Sequence, residues 1–485
     1  MSPSELESLL TQAMPSPPTG HQVAAIREFC RFLLSKDAQS LFILRGFAGT
    51  GKTTLAAAMV RAMTLLHQKV VLLAPTGRAA KVFATYAGHA AYTIHRRIYR
   101  QKTFAGENTA FGLNFNSSKD TFFFVDEASM IGNASEGGLF GTGCLLDDLM
   151  QFVYHGGAEG CRLVFMGDTA QLPPVGSEGS PALDSQAMSR YGMTVFGADL
   201  REVVRQGEDT GILWNASAIR EYITREETTR LPQIRLKGFA DVQVVRGDEL
   251  IETLSGSYAN VGTDDTIVIT RSNKRAIVYN RGIRNTVLDR DEMLCGGDRL
   301  MIVKNNYHWL KPQKGEDTTL SFLANGDTAI VRRVRNIHEL YGFTFAEATL
   351  TLPDYGDHEL TATVLLDTLM SEAPALTRDE SERLFRNVND DYALEPGSSH
   401  TKKELMEKVR EDNYYNALQI KYAYAITCHK AQGGQWAHVY LDQGYMTDDM
   451  LSPDYIHWLY TAFTRATEKL FLVNWPETQI EKTDS

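Results

Sequence analysis

The chain is poor in cysteine, in positive charge and in long apolar runs. Its 485 residues include five cysteines, which lie far apart without a Cys-x-x-Cys pair, so neither a disulfide framework nor a zinc ribbon is predicted. No run approaches the roughly 18 apolar residues that a membrane-spanning helix needs. The amino-terminal segment has no basic stretch ahead of its short apolar part, unlike a signal peptide. We therefore expect a cytoplasmic protein with no membrane partner.

The charge balance is acidic. The chain has 49 Lys and Arg against 60 Asp and Glu, a formal net charge of −11 at pH 7. Bulk positive charge therefore cannot attract nucleic acid, and any such partner must bind a local basic track. Hydrophobic residues make up 43% of the chain and charged residues 22%, as in folded globular proteins. At about 150 residues per domain, the length predicts about three domains.

Short apolar runs, most of them bounded by a turn or a polar motif, recur along the chain. They cover residues 41–44, 70–74, 122–125, 163–166, 267–270, 439–441 and 470–473. Stretches of helical character separate several of them, for example residues 53–66 and 211–224. This alternation predicts βα units and a doubly wound parallel α/β sheet. Ligands of such a sheet bind at the carboxyl ends of its strands.

The pattern changes between about residues 298 and 399. Alternating β-rich pieces are divided there by polar turns such as Asn325-Gly326, which predicts a small antiparallel barrel inserted into the second α/β half. Residues 377–386 are expected to form a surface helix. The segment 100–118, rich in Gly, Asn, Ser and Phe, is expected to form a loop or hairpin.

Residues 46–53, Gly-Phe-Ala-Gly-Thr-Gly-Lys-Thr, match the P-loop pattern GxxxxGK[ST] between a strand and a helix. Glycines let backbone N–H groups approach phosphates closely, and the helix N-terminus adds its dipole. Lys52 would neutralise β- and γ-phosphate charge, and the Thr53 hydroxyl would ligate Mg²⁺. The strand-to-helix context disfavours the alternative of a structural glycine turn. The predicted ATP-binding residues in this segment are Gly46, Ala48, Gly49, Thr50, Gly51, Lys52, Thr53 and Thr54.

Further candidates for phosphoryl-transfer chemistry follow along the chain. Asp126 and Glu127 end the run Phe-Phe-Phe-Val and suit Mg²⁺ binding and the catalytic base, respectively. Gln171, in GDTAQLPPVG, could contact both a γ-phosphate oxygen and the attacking water. Arg205 and Arg465 are candidate arginine fingers, although each alone is typical of a surface salt bridge. With the P-loop, these residues predict an ATPase whose ATP lies between two lobes.

Taken in order, the motifs resemble those of the superfamily 1B DNA helicases of the RecD and Dda type, from about residue 20 to residue 474. The segments that carry this resemblance are GFAGTGKTT, APTGRAAK, TIH, VDEASM, GDTAQLPPVG, VVRQ, AITCHKAQGGQW and YTAFTRATEKL. The resemblance implies an α/β fold of two RecA-like P-loop motor domains, with an inserted SH3-like barrel and a small pin hairpin. It also implies that Gln22 reads adenine, since a glutamine side chain can pair with N6 and N7.

The resemblance and the change of pattern together predict the domain boundaries. The first motor domain is expected at 1–182, with the pin insert at about 99–118. The second is expected at 183–297 and 415–485, and the barrel at 298–414.

A local basic track stands out in this acidic chain. Between Ala74 and Lys102 there are six Lys or Arg and no Asp or Glu, which predicts a nucleic-acid site, with a solvated helix face as the alternative. Residues expected to bind single-stranded DNA in the first lobe are Pro75, Thr76, Gly77, Arg78, Thr93 and His95. Those expected in the second are Thr270, Asn273, Thr427, His429, Lys430 and Gln432. His429 has no second metal ligand at a suitable spacing.

Phe104, Phe111 and Phe115 could form the apolar wedge of the pin against the first base pair, or could pack the hairpin onto its domain. The resemblance implies an ATP- and Mg²⁺-dependent helicase that moves 5′-to-3′ on single-stranded DNA. Its expected partners are single strands, single-strand/duplex junctions, and single-strand-binding, replication or repair proteins. An RNA helicase of the same superfamily and an ATP-gated clamp without unwinding stay open as alternatives.

Overall fold

A computed structural model describes residues 2–101, 111–133, 141–155, 159–203, 210–310, 322–394 and 401–482. The chain divides into two compact units. Unit 1 comprises Met1–Val244, Ala431–Ala437 and Tyr445–Ser485, and unit 2 comprises Val245–Lys430 and His438–Gly444. Among the described residues, no helix is both long and apolar enough to cross a bilayer.

The α-helices are named in chain order. They are α1 (Pro3–Gln12), α2 (Gly20–Leu34), α3 (Lys52–Leu65), α4 (Gly77–Ala87), α5 (Ile94–Ile98), α6 (Leu145–Tyr154), α7 (Ser185–Arg190), α8 (Gly211–Thr224), α9 (Leu250–Asn260), α10 (Asn273–Gly282), α11 (Arg378–Ala393), α12 (Lys402–Glu411), α13 (Cys428–Ala431) and α14 (Pro453–Phe463). A single π-helical turn, Ile283–Val287, continues α10.

The β-strands are named in the same way. They are β1 (Ser40–Gly46), β2 (Lys69–Ala74), β3 (Ala91–Thr93), β4 (Tyr99–Gln101), β5 (Phe111–Leu113), β6 (Thr121–Val125), β7 (Arg162–Gly167), β8 (Thr194–Leu200), β9 (Val242–Val245), β10 (Thr266–Thr270), β11 (Arg299–Ile302), β12 (Thr328–Leu340), β13 (Phe343–Leu352), β14 (His358–Leu365), β15 (Leu418–Tyr422), β16 (Ala425–Thr427), β17 (Trp436–Asp442) and β18 (Ala466–Val473).

Unit 1 is organised around a parallel sheet of six strands, in the order β3-β2-β6-β7-β1-β8. The inner strands β1, β6 and β7 are buried along almost their whole length, as expected of a sheet covered on both faces by helices. On one face an aromatic cluster packs with ring centroids 5.2–6.2 Å apart. It contains Phe29, Phe32, Phe42, Phe122 and Phe124.

The sheet brings three predicted motifs to one edge. The P-loop follows β1, Asp126 and Glu127 follow β6, and Asp168 follows β7. Because β7 pairs in parallel with both β1 and β6, the carboxyl ends of the three strands are neighbours. β8 also pairs with β1, so this sheet continues past the boundary predicted at 182.

Unit 2 contains a parallel sheet segment and a closed barrel. β10 pairs in parallel with β16 and with β17. The barrel is formed by β11, β12, β13, β14 and β15, with antiparallel pairs throughout except β14–β15. Its last strand lies beyond the boundary predicted at 414, since the chain forms α11 and α12 before it returns to close the barrel. The predicted α/β fold class with an inserted barrel is confirmed.

The segment predicted as a loop or hairpin contains a hairpin. β4 and β5 pair antiparallel, with Tyr99 opposite Leu113. Phe104 lies outside the described residues, and of Phe111 only the backbone is described. Phe115 is 63% exposed just beyond β5. The predicted surface helix is also present as α11, which begins with a capping box of Thr377 and Glu380.

Candidate functional site

The P-loop adopts a conformation that requires its glycines. Gly49 and Gly51 have φ of +76° and +73°, in the left-handed region that favours glycine. A Cβ on Gly46 would lie 2.8 Å from Thr50 Oγ1, and one on Gly49 would lie 3.2 Å from the Leu213 side chain. The backbone of the loop therefore packs closely against Thr50 and Leu213, with little space for a Cβ at Gly46 or Gly49. The loop leads directly into the N-terminus of α3, and a helix N-terminus is a typical site for anions.

Side chains lock this loop in place. Lys52 Nζ donates to Gly46 O at 3.0 Å, and Thr50 Oγ1 donates to Phe47 O at 2.8 Å. The guanidinium of Arg220, on α8, covers the Phe47 ring at 4.3 Å, a cation–π contact. The loop is thus preorganised by contacts within its own unit.

Gln22 is buried beside the P-loop. Its side-chain nitrogen donates to Thr50 O at 3.1 Å, and its oxygen accepts from Thr19 N at 3.0 Å in the capping box of α2. The structure therefore places Gln22 where it supports the loop and the helix start. The adenine-reading role stays a prediction.

The acidic pair lies at the end of β6. Burial raises the pKa of Asp126, the charge of Glu127 adds to this rise, and the charge of Lys52 opposes it. Glu127 has φ +50°, and its backbone N–H donates to Asp126 Oδ1 at 2.9 Å. A buried carboxylate that is influenced by the P-loop lysine fits a site for a divalent cation next to phosphates.

Three residues predicted to take part in hydrolysis converge in unit 1. Arg465 Nη1 lies 4.0 Å from Glu127 Oε1. With the Gln171 amide oriented to satisfy both neighbours, its nitrogen donates to Glu127 Oε2 at 3.3 Å and its oxygen accepts from Arg465 Nη2 at 3.2 Å. Arg465 is itself buried and fixed, because its Nε donates to Thr461 O at 3.0 Å and its Nη1 to Gly434 O at 3.2 Å. Arg205 lies outside the described residues.

The segment 168–172, which carries Gln171, is held by one face of α14. Tyr460 OH donates to Asp168 Oδ2 at 2.6 Å, and Leu172 N donates to Thr461 Oγ1 at 2.8 Å. His457 Nδ1 lies 2.9 Å from Ala170 O. These contacts fix the backbone on both sides of Gln171.

Asp168 and Tyr460 lie in two of the motifs that carry the resemblance, but the sequence alone predicted no role for either residue. A signal was available in α14, because positions 457, 460 and 461 share one helical face and each carries a side chain that can form hydrogen bonds. Tyr460 also reaches the P-loop, where its hydroxyl accepts from Ala48 N at 2.9 Å. Burial raises the pKa of Asp168, whereas Lys52 and the bond from Tyr460 oppose that rise.

The residues predicted to bind single-stranded DNA in the first lobe lie in two groups. Thr76 caps α4, and Arg78 follows it with its guanidinium 4.0 Å from the Trp436 ring and Nη2 donating to Gln435 O at 2.7 Å. Pro75 and Gly77 flank Thr76 in the chain.

The second group lies at α5. Thr93 caps this helix with its hydroxyl, and His95 is half-buried within it. Burial lowers the pKa of His95 to about 4, against the opposing charge of Asp148, so the ring is neutral at pH 7. A neutral ring can stack on a base or form hydrogen bonds.

Gln432 lies in unit 1 and not with the other residues predicted for the second lobe. Its Nε2 donates to Leu172 O at 2.7 Å, so its side chain holds the segment 168–172. The cause is the chain path, which passes from unit 2 to unit 1 immediately after Lys430.

In unit 2, four predicted residues line one cavity of about 350 Å³. They are Asn273, Thr427, His429 and Lys430. Burial lowers the pKa of Lys430 to about 8, assisted by the charge of Lys421, and burial lowers that of Lys421 to about 8 as well. Thr270 does not line the cavity, because it is buried and its hydroxyl donates to Ser272 O at 3.1 Å.

Comparison with known families gives two matches. The AAA domain family matches residues 19–233, and the UvrD-like helicase C-terminal domain family matches residues 422–473. The chain is thus similar to an AAA domain in its amino-terminal part and to a UvrD-like helicase C-terminal domain near its other end. The first match contains the P-loop, the acidic pair and Gln171, and the second contains Arg465. The resemblance found in the motifs is thereby confirmed.

Individual relatives share parts of the chain. The ATP-dependent RecD2 DNA helicase of Deinococcus radiodurans is 29% identical over 228 residues, which are 44% of this chain and 28% of the relative. The uncharacterized protein MJ1519 of Methanocaldococcus jannaschii is 25% identical over 461 residues, 89% of this chain and 36% of the relative. The chain thus spans about a third of the length of these relatives.

Solved structures of low similarity also align along most of the chain. A Pif1 helicase from Bacteroides in complex with ADP-AlF3 and ssDNA has a TM-score of 0.45 and 15% identity, covering 94% of each chain. Two coordinating Pif1 helicases at forked duplex DNA give a TM-score of 0.46 and 16% identity, covering 96% of this chain and 95% of that one.

Proposed function

We propose that the protein is an ATP-dependent DNA helicase that moves 5′-to-3′ on single-stranded DNA and unwinds duplexes. The observation that carries the proposal is the convergence of Glu127, Gln171 and Arg465 in the unit that holds the P-loop. A site that only binds nucleotide has no need for a base, a water-orienting amide and a cation held together. The RecD2 DNA helicase, with its 29% identity, supports DNA as the nucleic acid, and the motif resemblance supports the polarity.

The proposed hydrolysis assigns one task to each residue. The P-loop amides and Lys52 bind the phosphates, and Thr53 and Asp126 hold Mg²⁺, which neutralises phosphate charge when bound. The proposed roles of the converging residues are that Glu127 takes a proton from the attacking water, Gln171 orients that water, and Arg465 stabilises the charge that develops on the γ-phosphoryl oxygens. Arg205, in the motif VVRQ, is proposed to supply a second positive charge to the γ-phosphoryl group.

Movement along a strand needs two grips on the backbone that bind in alternation. The basic track around Thr76 and Arg78 is the proposed grip of unit 1. The cavity lined by Asn273, Thr427 and Lys430 is the proposed grip of unit 2. Phe115, exposed beyond the hairpin, is the described candidate for the wedge. Single-strand/duplex junctions are therefore the proposed substrates, with replication or repair proteins as proposed partners.

Strand displacement on two labelled duplexes tests the proposal directly. One duplex carries a 5′ single-stranded tail and the other a 3′ tail, each incubated with ATP and Mg²⁺. Release from the 5′-tailed duplex alone is expected. Release from the 3′-tailed duplex alone would contradict the polarity. ATPase stimulation by poly-U as strong as by poly-dT would favour an RNA helicase, and weak turnover that single strands do not stimulate would favour a clamp.

A further inference from the structure

The hydroxyl of Tyr460 joins two loops that come from different parts of the chain. It accepts a hydrogen bond from Ala48 N at 2.9 Å and donates one to Asp168 Oδ2 at 2.6 Å. The direction of both bonds is fixed, because a backbone amide only donates and a carboxylate only accepts. Burial raises the pKa of the Tyr460 hydroxyl well above its usual value, so the group stays protonated and neutral.

The two loops hold the groups that must meet during hydrolysis. Ala48 lies in the P-loop, and Asp168 begins the segment that carries Gln171. Within that segment, Gln171 N donates to Asp168 O at 3.3 Å, so the position of Asp168 is passed directly to Gln171. Tyr460 is therefore a buried link, one side chain long, between the phosphate-binding loop and the glutamine.

We propose that Tyr460 is a positioning residue that sets the distance between the P-loop and Gln171. The proposal rests on the ATPase activity proposed above. An attacking water must be aligned with the phosphoryl group to within about 1 Å, since a misplacement of that size can cost roughly 100-fold in rate. Tyrosine suits the task because its ring has only two side-chain torsions, so little freedom remains once it is buried. No contact of Tyr460 with the reacting atoms is proposed.

Tyr154 provides a matched control. Its hydroxyl accepts from Leu163 N at 3.0 Å and donates to Ser40 O at 2.9 Å, the same pattern of one amide donor and one oxygen acceptor. Ser40 and Leu163 lie at the starts of β1 and β7, at the opposite ends of these strands from the P-loop and Asp168. Removing either hydroxyl therefore breaks an equivalent pair of bonds, but only one pair adjoins the proposed reaction.

The experiment measures ATPase kinetics of the full chain with saturating poly-dT for wild type, Tyr460→Phe and Tyr154→Phe. Tyr460→Phe is expected to lower kcat by roughly 10- to 100-fold and to leave KM for ATP within about threefold, as expected for lost alignment with retained binding. Tyr154→Phe is expected to keep kcat within about twofold. Thermal unfolding of both variants checks that their stability losses are comparable.

Several outcomes would overturn the proposal. They are an unchanged kcat in Tyr460→Phe, a higher KM with unchanged kcat, or an equal loss in Tyr154→Phe. If Tyr460→Phe does not fold, Thr461→Val decides, because it removes the bond to Leu172 N and is expected to lower kcat without changing KM. If the wild type itself does not hydrolyse ATP, the proposed function fails. The role of Tyr460 is then tested by amide hydrogen exchange. Equal exchange rates of residues 168–172 in wild type and Tyr460→Phe would overturn that role.

Discussion

The nucleotide site of unit 1 and the cavity of unit 2 are built in contrasting ways. Around the segment 168–172, side chains of Tyr460, Thr461 and Gln432 make hydrogen bonds of 2.6–2.8 Å that fix the backbone. The cavity of unit 2 instead contains two lysines whose charged forms are disfavoured by burial. The difference fits the proposed roles, because chemistry requires a fixed geometry, whereas the proposed grip of unit 2 would bind a strand through lysine charge that an incoming phosphate stabilises.

The largest expected effect comes from removing the positive charge of the P-loop lysine, Lys52, in the nucleotide site of unit 1. Lys52→Ala is expected to abolish ATP turnover, because no other cation of the P-loop neutralises the β- and γ-phosphates. Single-strand binding is expected to persist, since the proposed grips lie elsewhere. ATPase assays and fluorescence anisotropy on labelled oligo-dT measure the two properties. Lys69→Ala, at the exposed start of β2, is the control. ATP turnover in Lys52→Ala would contradict the proposed role of Lys52.

A second variant tests geometry with the charge retained. Arg465→Lys is expected to lower kcat by roughly 1,000-fold, because an ammonium cannot reproduce the planar fork of the guanidinium that contacts Gln171 and Thr461. KM for ATP is expected to change little. The control is Arg45→Lys, since Arg45 on β1 forms an ion pair with Asp199 on the neighbouring strand β8. Equal kinetics in Arg465→Lys and wild type would show that only charge matters at this position.

The third prediction concerns pH in the cavity of unit 2. The lysine pKa values of about 8 mean that both amines are mostly protonated at pH 7 and mostly neutral at pH 9. Affinity for oligo-dT is therefore expected to fall as pH rises from 7 to 9. Lys430→Arg should flatten this fall, because arginine stays charged, and Lys430→Ala should weaken binding by roughly 10-fold at pH 7.

Binding titrations at several pH values measure this effect. Lys274→Ala is the matched control, because Lys274 is exposed and lies 3.7 Å from Glu372. It is expected to leave the pH profile unchanged. A profile that is flat in the wild type would contradict the role of the two lysines.

The smallest expected effects distinguish the structural role of the start of α2 from the predicted recognition of adenine by Gln22. Thr19→Ala removes the N-cap of this helix and is expected to lower the free energy of unfolding by about 1 kcal/mol, with KM for ATP unchanged. Gln22→Ala is expected to raise KM for ATP more than KM for GTP if Gln22 reads adenine. Chemical denaturation and nucleotide kinetics measure both variants. Equal KM changes for the two nucleotides would leave Gln22 with its structural role alone.

Much of the fold followed from the sequence because its signals are local. The continuous apolar runs of β1, β6 and β7 identify buried parallel strands, and the P-loop and acidic pair follow two of them directly. β8 was missed because only Leu200 of its seven residues is buried, so it lacks such a run. The closing barrel strand was missed because the chain forms α11 and α12 before it.

Prediction of the site was limited by contacts between distant segments. Glu127, Gln171 and Arg465 were identified from their motifs, and the structure brings them together, although their catalytic roles stay predictions. The bonds of Tyr460 to Ala48 and Asp168 span about 410 and 290 residues of chain, respectively, and no local pattern encodes their partners. Gln432 was assigned to the wrong lobe because the crossing of the chain after Lys430 has no sequence signature.

Glu127 carries a consequence for the evolution of this chain. Its φ of +50° is a conformation that costs a residue with a Cβ about 1 kcal/mol relative to glycine. Glycine at this position would relax the backbone, and it would also remove the only carboxylate within 4.0 Å of Arg465 among the described ion pairs. With Glu127 as the proposed base, selection for folding stability and selection for turnover would therefore act in opposite directions at this position.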